Sequence, residues 1–139
     1  MTNINQSKLK KATKVFNDVF NKYDIMNDIM SFGTHRVWKK RLIDWMNPKK
    51  GDQLVDIASG TGDVAKSFLE RTNYLGKVYC VEPNKLMMEE GKKKLKNLNN
   101  ITWHNSIAEK LPFDDETFDI YSVSFGIRNF SDINLALKE

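Results

Sequence analysis

One stretch near the middle, Val55-Asp56-Ile57-Ala58-Ser59-Gly60-Thr61-Gly62-Asp63, constrains this chain more than any other. Leu54, Val55 and Ile57 form an apolar run that ends in small residues and glycines, and Val64, Ala65, Phe68 and Leu69 then recur at helical spacing. The order reads as strand, tight turn, helix. Gly60 and Gly62 let the backbone turn sharply and bring N–H groups close to a ligand, where a Cβ would obstruct the approach. Such a loop raises the expectation of a nucleotide-type ligand; the competing reading is a glycine turn that binds nothing.

Gly60-x-Gly62-x-x-Ala65 also satisfies a dinucleotide fingerprint, and Glu82 ends the next apolar run at about the 20-residue distance where an acidic residue meets a ribose. The pattern alone does not separate NAD from S-adenosyl-L-methionine. Charge helps. Asp63, at the mouth of the helix, would repel a pyrophosphate, and Asp56 points the same way, whereas a ligand carrying an α-ammonium and a sulfonium is attracted by both.

The remainder of the chain supplies strands alternating with helices. Val15, Phe16, Val19, Phe20 and Tyr23 are at helical spacing over residues 8 to 23. Tyr23 to Gly33 mixes methionines and aromatics with carboxylates and amides, a composition equally suited to a pocket wall or to core filling. His35 opens a helix through Trp38, Leu42, Trp45 and Met46 that Pro48 stops. Read alone, a histidine there is more often structural than catalytic.

Strands are expected at Lys77 to Glu82, Ile101 to His104 and Phe118 to Phe125. A lysine-rich helix after Pro83-Asn84 takes Leu86, Met87, Leu95 and Leu98 as its apolar positions, with Pro83 early in the helix, and Ser131 or Asp132 caps the last helix. The pattern implies an α/β fold with a parallel sheet wound on both faces and a ligand across the carboxyl ends of its strands. We read residues 1–139 as a single domain, with 1–50 a helical cap and 51–139 the cofactor-binding portion.

Charge and composition narrow the function. The net charge of +4 comes mostly from dispersed lysines, and the cluster Lys85, Lys92, Lys93, Lys94 and Lys96 carries no interleaved aromatics. It reads as a solvated helix face rather than a nucleic-acid surface. Cys80 is the single cysteine, within Val78-Tyr79-Cys80-Val81, which excludes an internal disulfide. Met1 to Lys14 has no apolar centre, and no apolar run reaches the ~20 residues of a membrane span, so a cytoplasmic location is expected. No metal site is read.

Tyr23-Asp24-x-Met26-Asn27-Asp28-x-Met30-Ser31-x-Gly33-x-His35-Arg36-x-Trp38-Lys39, Asp56-x-Ala58-x-Gly60-Thr61-Gly62-Asp63, Ala108-Glu109-x-Leu111-Pro112-Phe113 and Ser124-Phe125-Gly126-Ile127-Arg128-Asn129 together resemble the ubiquinone/menaquinone biosynthesis C-methyltransferases. The resemblance implies a Rossmann-like class I methyltransferase sheet with an N-terminal helical cap. It also implies ring-carbon methylation of a polyprenyl benzoquinol or demethylmenaquinol by S-adenosyl-L-methionine. By matched position, Gly60, Thr61 and Gly62 would hold the methionine end and Glu82 the ribose hydroxyls. Ile107-Ala108 would border the adenine, and Ser124 would line the cleft. Arg128 and Asn129 would assist deprotonation of the quinol or stabilise its phenolate, a guanidinium being suited to stabilising the anion and orienting a water, and Tyr23, Asp24 and His35 would belong to a lid over the acceptor.

The resemblance further implies a lipophilic quinol as partner, contact with other quinone-biosynthesis proteins, and peripheral contact at the inner face of a membrane. Glu82 replaces a usual aspartate, Ser59 a frequent glycine, and Ile107 an asparagine or aspartate that would hydrogen-bond the cofactor, an exchange costing about 1 kcal/mol of affinity. Family members continue with a strand, a glycine turn and an antiparallel hairpin, so the C-terminal strands of the fold are expected to be missing here. Two alternatives follow: a non-catalytic cofactor- or partner-binding remnant, and a methyltransferase of the same fold acting on another small molecule.

Overall fold

Leu54, Val55, Asp56 and Ile57 are all buried, the mark of a strand covered on both faces. They form β1 (Gln53–Ile57), the inner strand on which the sheet is built. The computed structural model describes residues 34–124 and 126–139, so the expected helix over 8 to 23, the Tyr23 to Gly33 segment and Phe125 lie outside the described residues.

β2 (Lys77–Val81) and β4 (Ile120–Val123) flank β1, and β3 (Ile101–His104) lies beyond β2, all parallel in the order β3-β2-β1-β4. The register sets Asp56 opposite Cys80 on one side and Ser122 on the other. The chain winds outward from β1 to β3, then returns past it to lay down β4. That reversal puts the topological switch between β1 and β4, where an open α/β sheet leaves a crevice outside its carboxyl ends.

Four α-helices are described: α1 (Thr34–Met46), α2 (Asp63–Arg71), α3 (Lys85–Lys94) and α4 (Ile133–Lys138), with a 3-10 turn at Ile127–Asn129. One face of the sheet buries Leu54, Val78 and Cys80 against Ile43 of α1 and Val64, Ala65, Phe68 and Leu69 of α2. The opposite face buries Val55, Ile57 and Val81 against Ala108 and Ala136, with Leu111, Phe113, Phe118 and Phe130 packed around them. The chain divides into two compact units at Trp38/Lys39, a boundary inside α1.

Several expected boundaries shift. β2 ends at Val81 and β4 covers only Ile120–Val123. Asp119 lies outside the strand because it is tied to the head of β1: its N–H donates to the Gln53 carbonyl and its carboxylate accepts from the Gln53 N–H. Pro83 precedes α3 instead of entering it. Asn84 is the cap, its side-chain oxygen accepting from the Leu86 and Met87 N–H groups. Asp132, not Ser131, caps α4 through the Leu135 N–H.

The buried line of α3 is Met88 and Gly91, continued by its capping residue Leu95, while Leu86 is exposed. The helix turns this line inward because Trp103 of β3 lies against it. A Cβ on Gly91 would enter the Trp103 ring, and one on Gly62 would come within 3.0 Å of the same ring and 2.7 Å of Leu95 Cδ1. Gly91→Ala should therefore lower the urea midpoint. Alanine is the better helix former by about 1 kcal/mol, but overpacking costs about 1–3 kcal/mol; a raised midpoint would show that Trp103 swings away freely.

Candidate functional site

The loop after β1 departs from ordinary backbone within a few residues. Ala58 (φ 52), Gly60 (φ 58) and Gly62 (φ 88) all occupy the left-handed region, while Ser59 does not. An alanine there is strained by about 1–2 kcal/mol, and strain of this kind marks a conformation held by its surroundings. One support is visible: Gly126, after β4, lies against Ala58 so closely that a Cβ would strike the alanine methyl. The loops after β1 and β4 thus meet at the switch.

Glu82, just beyond β2, joins the strand ends. Its Oε2 accepts from the Gly60 N–H and its Oε1 from the Asn84 N–H, each at 2.8 Å. Burial raises its pKa, partly offset by those two N–H groups. The Asn105 amide then donates to the Glu82 and Pro83 carbonyls, tying in the loop after β3. Glu82 is therefore a structural pin as well as the acidic residue that the sequence pairs with a ribose. Each carboxylate oxygen retains acceptor capacity for a hydroxyl.

Gly62 differs from its sequence reading. Its N–H donates to the Ser59 carbonyl, and its missing Cβ makes room for Leu95 and Trp103, so packing and its positive φ demand glycine there. Gly60 keeps the reading better, since a Cβ would meet only Met87 Cε at 3.4 Å, although its N–H is spent on Glu82.

The two aspartates of the motif take opposite electrostatic roles. Asp56 is completely buried, accepts the Ser122 hydroxyl on Oδ1 at 2.7 Å, and has no partner for Oδ2 among the described residues. Burial pushes its pKa up to about 7, against the lowering effects of Ser122 and Lys39. Asp63 is held by two cations, Lys39 Nζ at 2.8 Å on Oδ2 and Lys94 Nζ at 2.5 Å on Oδ1. Burial would raise it, but the charges and hydrogen bonds of Lys39 and Lys94 prevail and bring it to about 2. The negative charge that the sequence offers to a ligand at Asp63 is thus already engaged by the protein.

Other sequence-derived residues separate by position. Thr61 stands beside Lys94 (3.4 Å to Nζ). Ser124 follows β4 at the crevice, half-buried, and Ala108 is buried beneath the loop after β3, with Ile107 half exposed beside it. Ile107 is joined to Lys110 by an isolated antiparallel bridge. Arg128 and Asn129 are exposed on the 3-10 turn after β4. His35 is buried in the first turn of α1, in the unit that ends at Trp38, and Tyr23 and Asp24 lie outside the described residues.

Sequence reasoning missed Ser122, Asn84 and Asn105, polar residues without spacing to announce them. Lys94 is exposed, as the solvated-face reading has it, but its pairing with Asp63 was not foreseen. The described residues contain no cluster suited to a metal ion and no helix long and apolar enough to cross a membrane.

A glycine loop after β1, an acidic residue after β2 and a crevice at the β1/β4 switch define the class I methyltransferase architecture. The YcgJ protein of Bacillus subtilis superposes with TM-score 0.66 at 25% identity over 72% of this chain and 42% of that one. A SAM-dependent methyltransferase from Aquifex aeolicus has the same fold, with TM-score 0.66 at 22% identity over 73% and 55%. The chain belongs to the ubiE/COQ5 methyltransferase family, which it matches over residues 1–139. Two relatives named ubiquinone/menaquinone biosynthesis C-methyltransferase UbiE, from Francisella tularensis subsp. holarctica and Roseobacter denitrificans, are 46% and 42% identical over 135 residues. The matches cover 95% of this chain and 54% of each relative, so the chain spans about half the length of the curated relatives it matches.

Asp56 supplies a test by pH. Between about pH 4 and pH 7 the unfolded chain releases this proton while the folded chain keeps it, so the contribution of Asp56 to stability falls as pH rises through that window. Asp56→Asn keeps an acceptor for Ser122 and removes the fall. Its stability relative to the parent should rise by about 1.4 kcal/mol per pH unit between about pH 5 and pH 7 and level off above. A difference independent of pH in urea titrations would place the Asp56 carboxyl near its ordinary value.

Proposed function

We propose that this chain carries the cofactor-binding part of an S-adenosylmethionine-dependent C-methyltransferase acting on a polyprenyl benzoquinol or demethylmenaquinol. The observation that carries the reading is the Glu82 carboxylate, fixed by Gly60 and Asn84 beyond the carboxyl ends of β1 and β2 in a chain whose residues 1–139 match the family. The relatives' names, C-methyltransferases of ubiquinone/menaquinone biosynthesis, support the reaction type, and a quinol acceptor is our extension of it.

The residues fit the cofactor. Glu82 offers two fixed carboxylate oxygens to a ribose diol, Gly60 leaves space over the loop, and Ile107 presents an exposed apolar surface to a base. Bound there, S-adenosylmethionine would supply a methyl group on a sulfonium, already electrophilic enough to alkylate an electron-rich ring carbon. The protein's task is alignment and exclusion of water, which is catalysis by proximity. Arg128 and Asn129, exposed on the turn after β4, would stabilise the phenolate of the acceptor. The guanidinium does so as a fixed cation, since its pKa above ~12 makes it a poor base. A quinol with an isoprenoid tail implies working contact with a membrane surface.

Calorimetric titration tests the reading. S-Adenosylmethionine should bind and NAD should not. Gly60→Val should abolish methyl-donor binding, because a valine Cβ at φ 58 strains the loop and covers its surface. Arg128→Ala should retain binding and lose quinol methylation by about 10²-fold or more. Tighter binding of NAD would overturn the assignment, and loss of methyl-donor binding in Arg128→Ala would move Arg128 from the acceptor to the cofactor.

A further inference from the structure

The Asp63 carboxylate needs one cation and has two. Lys94 reaches it from the last turn of α3, with its side chain 37% exposed, and Lys39 from α1, with its side chain 21% exposed. Lys39 is the inner of the pair. Its charge also acts on the buried Asp56, whose Oδ2 has no hydrogen-bond partner among the described residues. A half-buried ammonium that shares its counter-ion with a second ammonium has attraction to spare for an anion.

Both ends of this arrangement bear on the loop, because Asp63 is the first residue of α2 and directly follows Gly62. The methionine end of the cofactor proposed above is a zwitterion. Its carboxylate requires a cation, and among the groups described at the loop the cations are Lys39 and Lys94. Its ammonium requires an acceptor, and Asp63 has capacity for one once Lys39 turns to the carboxylate, whereas Asp56 is buried and bonded to Ser122.

We propose that Lys39 recognises the α-carboxylate of the cofactor, and that its ion pair with Asp63 is the resting arrangement from which it does so. The proposal rests on the cofactor reading given above and extends it to a residue with no assigned role. Lys94 is left as the standing counter-ion of Asp63. When Lys39 turns to the ligand, Asp63 keeps one cation and the start of α2 is undisturbed. The device makes the site selective for adenosyl compounds that retain an intact amino-acid end.

The test compares S-adenosylmethionine with its decarboxylated analogue, which keeps the sulfonium and the ammonium and lacks only the carboxylate. The unmodified chain should prefer the intact compound by about tenfold or more, the scale of one charge-assisted contact. Lys39→Met should erase that preference by weakening S-adenosylmethionine alone, leaving the decarboxylated compound within about twofold of its original affinity. Lys39→Arg should restore most of the preference. Lys94→Met should leave the ratio standing, and thermal unfolding should report all three variants folded.

Equal weakening of both ligands in Lys39→Met would reduce Lys39 to a prop for the loop and overturn the proposal, as would collapse of the ratio in Lys94→Met instead. An unfolded Lys39→Met chain is answered by Lys39→Gln and Lys39→Arg, whose ratios must differ if the charge is what is read. If the unmodified chain bound neither adenosyl compound, the cofactor reading itself would fall, and this proposal with it.

Discussion

Parallel pairing on both edges of β1 is the constraint from which the rest of the structure follows. A strand hydrogen-bonded to β2 on one side and β4 on the other, and covered on both faces, must be apolar along nearly its whole length. Parallel neighbours also deliver all their outgoing loops to one edge of the sheet. The glycine loop, Glu82, the Asn105–Ala108 segment and Ser124 are brought together by that geometry before any side chain contributes. The single polar intrusion into β1, Asp56, is tolerated because Ser122 occupies the facing register position and donates to it.

The loop edge is then consolidated by polar contacts that bind backbone to side chain. Glu82 gathers N–H groups from two loops, Asn105 closes onto the carbonyls beside it, and Gly126 presses on the strained Ala58. Such contacts fix the loops relative to the strand ends. Above the loop Asp63 lies between lysines from two different helices, one cation more than its charge requires. Electrostatics at this site are accordingly those of a network, and no single residue's charge describes them.

Much of the architecture was legible in the sequence because it rests on short-range patterning. The apolar run before the glycines, the helical recurrence after them, and Ile101 to His104 all lie where periodicity places them. The misplacements share one cause, competition from a distant partner. Asp119 reads as strand but is taken by Gln53, 66 residues earlier. Leu86 reads as a buried helix position, yet Trp103 selects Met88, Gly91 and Leu95 for the inner face. Lys94 is exposed as read, yet its pairing was missed because nothing in its own helix shows that Asp63 lies within reach.

By itself the sequence determined the strand–turn–helix unit, the alternation that makes the sheet parallel, the acidic residue beyond β2 and the family of the whole chain. These depend on residue spacing and on the conformational freedom of glycine, which are local. Only the tertiary structure decided which glycine serves packing and which serves a ligand, which aspartate is buried and reluctant to ionise, and which lysines hold the other. Those properties depend on burial and on charges less than 3 Å apart contributed by segments more than 20 residues away, and no pattern along the chain encodes a distance in space.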